Sequence, residues 1–248
     1  MSNSAETTTS REEEIAFLAM EQVLGINIQL ADAGGGNSMP DGAWSTADGR
    51  GIVEVTSPPA ADQLAKWASS KRANEPLSES GVNSARINEL AAHLMEELEQ
   101  DWATENIKKL QAQSAEQRHL YLFARTEIQG SYFYRLSDEY NNGPVEQIAN
   151  LELPCGITNV WFQGRAQRVR SDPTEKLELR IARYQSGTGW HRHVVVIDEL
   201  ALPSPNSALA DDPIPPGRRK PKRRTESSNP AGVTGKSVCL AASAYSQG

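Results

Sequence analysis

Cysteine is nearly missing from this chain: Cys155 and Cys239 are the only two, and they lie far apart without metal-ligand spacing. That excludes a disulfide-dense scaffold and a cysteine-based zinc module. A cytoplasmic chain without structural disulfides is the simplest expectation. No apolar run approaches the ~18 residues of a membrane span. Met1 to Ser10 is polar and lacks the apolar segment of a signal peptide. Apolar residues make up only 38%, so part of the 248-residue chain is expected outside the core. A nucleotide-binding loop is also lacking. Gly34-Gly35-Gly36 has no Gly-Lys-Ser/Thr ending. Gly235-Lys236-Ser237 has that ending, but Pro230 stands where the loop needs its first glycine and no strand precedes it.

Charge is unevenly spread. The whole chain carries −7, yet Pro203 to Gly248 holds seven Lys/Arg against three Asp/Glu, a local +4. The rest is therefore at −11, which is not the profile of a simple basic DNA-binding domain. Residues 203–248 are expected to be a disordered, proline-rich tail, with residues 1–10 disordered at the other end. Its basic run, Arg218, Arg219, Lys220, Lys222, Arg223 and Arg224, is suited to contacting nucleic-acid phosphates. It is equally suited to solubilising the chain or holding an acidic patch on its own domain.

Between these ends, 11–202 reads as one domain. Ser10 with Glu13 forms a capping box for a helix from Arg11 toward Leu30, with Gly25 a candidate end. Asn37–Trp44 and Gly51–Thr56 read as two strands of a hairpin joined by Ala47-Asp48-Gly49-Arg50. Ile52, Glu54 and Thr56 then share one face, and Val53 and Val55 the other. A glutamate in so apolar a strand needs a partner, because burying a lone carboxylate is costly. Asp41 lies across the hairpin, and two carboxylates brought together can hold a hard cation through oxygen.

Pro40-Asp41, twelve further residues and Glu54-Val55-Thr56 resemble the motif of the PD-(D/E)XK nuclease superfamily, over about residues 11 to 75. The resemblance implies a restriction-endonuclease-like fold, with a central mixed β-sheet flanked by helices, α/β or α+β in class. It implies that Asp41 and Glu54 bind Mg2+ or Mn2+, with the Val55 carbonyl completing the site. Such folds often carry a further acidic residue on the first helix, for which Glu21 is the candidate; Glu21 also reads as a solvated helix-face glutamate. The motif lysine is replaced by Thr56. Some members carry that lysine on the following helix, where Lys66 is the candidate substitute, although it equally reads as a surface lysine. Arg118–Phe123 and Leu153–Trp161 are also similar to uncharacterised actinobacterial proteins that carry a Glu-Val-Thr strand.

Farther on, Asn83–Asp101 and Ala103–Gln117 read as helices. Arg118–Arg125 is the best candidate for a strand buried on both faces, beside the Glu54 strand. Gly130–Tyr140 is rich in aromatics, which serve a core or stack on bases. Ile157–Gly164 reads as a strand, and Lys176–Gln185 with Trp190–Leu200 as a hairpin. His191 and His193 share a strand face, a spacing that suits a metal but lacks an evident third ligand. Three functions remain open. The first is a divalent-metal-dependent nuclease acting on DNA or RNA phosphodiesters, with Asp41, Glu54, Thr56 and Lys66 as its catalytic set. The second is a catalytically inactive nuclease-like fold that binds nucleic acid or a protein. The third is an unrelated α+β interaction protein in which Asp41 only makes a turn.

Overall fold

The computed structural model describes residues 9–31, 39–60, 65–66, 69–70, 72–73, 87–137, 148–164, 167–168 and 176–202. The expectations for the tail, for 1–8 and for the 32–38 glycine loop lie outside these residues. The first helix, α1 (Arg11–Leu24), starts as its sequence dictates. Ser10 Oγ accepts from the Glu13 N–H, and the Glu13 carboxylate accepts from the Ser10 N–H. It stops at Gly25, whose φ of 66° is the left-handed conformation that glycine adopts without strain. The helix is therefore shorter than the apolar run to Leu30 suggests.

Among the described residues, eight strands form a single mixed sheet. β1 (Gln29–Leu30), β2 (Gly42–Thr46) and β3 (Gly49–Thr56) make an antiparallel meander. Two helices follow, α2 (Ile87–Leu98) and α3 (Asp101–Gln111), and lead to β4 (Gln117–Phe123), parallel to β3. Next comes α4 (Glu127–Ser137), and then β5 (Asn159–Gln163), parallel to β4. β7 (Lys176–Gln185) pairs antiparallel with β5, with the two-residue β6 (Gln167–Arg168) and with β8 (Gly189–Asp198). Parallel neighbours need long crossovers, and the helices between β3, β4 and β5 provide them.

Both faces of the sheet are covered. Phe17 and Met20 of α1 pack with Val53, Tyr121, Trp161, Ile181 and Val195. Leu90, Leu94, Ile107, Leu110, Phe133 and Leu136 of the other helices pack with Ile52, Leu120, Leu122, Val160 and Phe162. The expected alternation in β3 is thus realised, with Ile52 on the side of the three helices and Val53 on that of α1. β4 is central, as its consecutive apolar residues predict. Gly130–Ser137 is part of a helix, and of the two roles open to its aromatics Phe133 takes the core one, edge-on to Phe162. No helix among the described residues is long and apolar enough to cross a membrane.

Candidate functional site

The hairpin register pairs Gly42 with Val53, so the next residues out, Asp41 and Glu54, face each other at the end of β2. The β2–β3 ladder ends at Gly42. Here the Asp41 side chain takes over from the ladder: its Oδ2 accepts the Val55 N–H at 2.7 Å. Burial first, and the negative charge of Glu54 second, raise the Asp41 carboxyl from 3.8 to about 7. The Val55 hydrogen bond opposes this, as does the more distant charge of Lys109, while Glu13 reinforces it.

Glu54 is only 3% exposed, and the partner it needs comes from α3. Lys109 Nζ lies 2.5 Å from Glu54 Oε1, and the lysine side chain remains 29% exposed. One turn earlier, Asn106 donates to Thr56 Oγ1 at 3.2 Å and to the Trp102 carbonyl at 2.8 Å. Two residues of strand span roughly 6.6 Å and three of helix about 4.5 Å. Asn106 and Lys109 can therefore each reach one of the polar side chains on that face of β3. Ala103, Ile107 and Leu110 bury the rest of the helix and fix its rotation.

The structure treats the predicted site residues differently. Asp41 and Glu54 come together, and Val55 joins them through its N–H. Thr56 is engaged by Asn106. Lys66 lies on an exposed helical stretch. The lysine that reaches the acidic pair is Lys109. Glu21 accepts the Ile28 N–H at 2.6 Å, tying the end of α1 to the chain entering β1. The first-helix acid whose charge Asp41 feels is Glu13. No group of three or more His, Cys, Asp or Glu side chains placed to hold a metal occurs among the described residues. The basic run 218–224 lies outside them. The one signal for Lys109 in the sequence is the demand of Glu54 for a cation, with Lys108-Lys109 on an amphipathic helix as one of several sources.

A second polar cluster lies on the α1 face. His119 is buried, 1% exposed, and its Nδ1 accepts the Trp161 indole N–H at 3.2 Å. The Asn159 carboxamide stands 2.8 Å from Nε2. Burial first, and the charge of Arg183 second, push this imidazole down to about 3. With Nδ1 accepting, Nε2 carries the ring proton, and the Asn159 carboxamide satisfies it by turning its oxygen toward the ring, which makes this a core histidine.

No protein-family model, curated protein or solved structure matches the chain.

Proposed function

We propose that the chain is a divalent-metal-dependent nuclease that hydrolyses phosphodiester bonds, with Asp41 and Glu54 as the metal carboxylates and Lys109 as the cationic group of the site. The observation carrying this reading is the convergence of two carboxylates and one lysine at the buried end of a hairpin. The residues present fit a hard cation. Two acidic oxygen donors share one corner, where burial first and the charge of Glu54 second disfavour the Asp41 carboxylate, a cost that a bound cation would relieve. Mg2+ is commonly held by one or two carboxylates while it retains several waters. When bound, the cation would supply Lewis acidity toward a phosphoryl oxygen. The Val55 N–H orients Asp41. Lys109, partly open to solvent, is suited to donating to a phosphate oxygen as negative charge develops. Thr56, bonded to Asn106, takes a positioning role, and Lys66 takes none.

The Lys109–Glu54 ion pair favours a second reading. In a catalytically inactive relative of the same architecture, the lysine replaces the cation and the corner is purely structural. Incubating the full chain with single- and double-stranded DNA and RNA in Mn2+ tests the two. The nuclease reading predicts chelator-sensitive cleavage that Asp41→Asn and Lys109→Ala abolish and Lys66→Ala retains. Absence of cleavage of all four substrates by folded protein supports the inactive module.

A further inference from the structure

On the face of the sheet opposite Glu54, β7 and β8 carry a cluster of one arginine and two histidines that the carboxylate pair does not involve. The register sets Arg183 against His191 and Ile181 against His193, so all three polar side chains share the face that α1 covers farther along the strands. The Arg183 guanidinium lies over the Trp161 ring, 5.2 Å from its centroid, and its Nη2 donates to Gln185 Oε1 at 3.0 Å. The two imidazoles lie nearly parallel, 6.5 Å apart, and the His191 Nε2 is 3.0 Å from Thr188 Oγ1. Arg183 Nε and His193 Nε2 are shielded from water and meet no hydrogen-bond partner among the described residues. Among these residues no carboxylate is paired with Arg183. The Arg183 Nε–H is a donor in any state, and buried donors are normally satisfied, so it asks for an acceptor; His193 Nε2 can join as a donor in the tautomer that protonates it.

The sign of the missing partner follows from the neighbours. A metal cation at the two histidines would stand beside an arginine, which keeps its charge in proteins. An oxyanion, in contrast, meets a planar guanidinium suited to bidentate hydrogen bonding and two flanking imidazoles. Burial and Arg183 both depress the two histidines, His193 to about 4, which leaves them neutral N–H donors near pH 7. The guanidinium and the His191 ring remain partly exposed, so a ligand can reach them.

We propose that Arg183, His191 and His193 form a binding site for a phosphate group, with Trp161 as the platform that holds the arginine flat. The site is independent of the metal reading, because it lies on the other face of the sheet.

The test titrates inorganic phosphate, and separately a short single-stranded oligonucleotide, into the full chain while imidazole and indole NMR signals are followed. Phosphate should shift His191, His193 and Trp161. Arg183→Gln should weaken the effect at least about tenfold, whereas Arg72→Gln, at an exposed arginine elsewhere, should leave it unchanged. His191→Gln changes a more exposed ring and keeps the test valid if Arg183→Gln disturbs folding; it should weaken binding severalfold. Tighter binding of the oligonucleotide with the same sensitivity to these variants identifies a nucleic-acid phosphate, and phosphate binding alone a small phosphorylated ligand. A folded wild type that does not respond to millimolar phosphate would overturn the proposal. So would equal binding by wild type, Arg183→Gln and His191→Gln.

Discussion

Lys109 and Glu54, 55 residues apart in sequence, meet at 2.5 Å between α3 and the central part of the sheet. Removing one partner of such a pair leaves the other buried without compensation. Lys109→Ala should therefore destabilise the chain by about 2–3 kcal/mol, less than for a fully buried pair because the lysine is partly solvated. Adding Glu54→Gln to Lys109→Ala should recover most of the loss. Urea denaturation of the two single variants and the double variant measures this coupling. Additive losses would show that the two side chains do not depend on each other.

Asp41 gives the corner a pH dependence of definite sign. Its carboxyl is raised from 3.8 to about 7 in the fold, so between those values the folded chain binds more protons than the unfolded one. Its contribution to stability is fully present below about pH 4 and is lost as pH rises toward and past 7. Asp41→Asn keeps an acceptor for the Val55 N–H and removes the charge. The variant should lose this part of the pH dependence and be more stable than wild type near pH 8. Thermal melts from pH 5 to 8 read the difference between the two proteins.

Much of the scaffold was legible because local chemistry determines it. The Ser10–Glu13 capping box, the Gly25 stop, the 42–56 hairpin and the apolar β4 follow from residues close together in sequence. The α4 helix was not legible: Gly130 and a run of aromatics disfavour a helix locally, and packing of Phe133 and Leu136 against the sheet overrides that preference. The acidic half of the site was readable, since hairpin register brings position 41 to position 54. Its basic half was not. Lys109 is chosen by the rotation of α3, which depends on Ile107 and Leu110 finding the core, whereas Lys66 was a candidate through the resemblance alone, in which some members carry the lysine on the helix after the strand.

Trp44 rests on bare backbone. A Cβ at Gly51 would stand 2.0 Å from its Cε2, too close for any shift of the methyl alone to relieve. Gly51→Ala should displace the indole, which also meets His119 edge-on at 5.0 Å, and cost about 1–3 kcal/mol. Trp44 fluorescence, isolated by replacing the other tryptophans, should show increased solvent exposure; an unchanged spectrum and stability would contradict this packing.

His119 should stay neutral throughout the range in which the chain is folded. The indole of Trp161 can only donate, so Nδ1 is the acceptor and Nε2 carries the ring proton. Nitrogen-15 NMR of labelled histidine should show that single tautomer from pH 5 to 8. An imidazolium signal at pH 5 would contradict the burial of this ring.

The most direct measurement is calorimetric titration of Mg2+ and Mn2+ into the full chain, with Asp41→Asn and Glu54→Gln alongside and with nucleic acid both absent and present. The expected result is binding by wild type that tightens as pH rises through about 7, where Asp41 loses its proton, and that each substitution weakens at least about tenfold. Failure of folded wild type to bind either metal under both conditions would contradict a metal-dependent nuclease and leave Lys109 as the cation of the site.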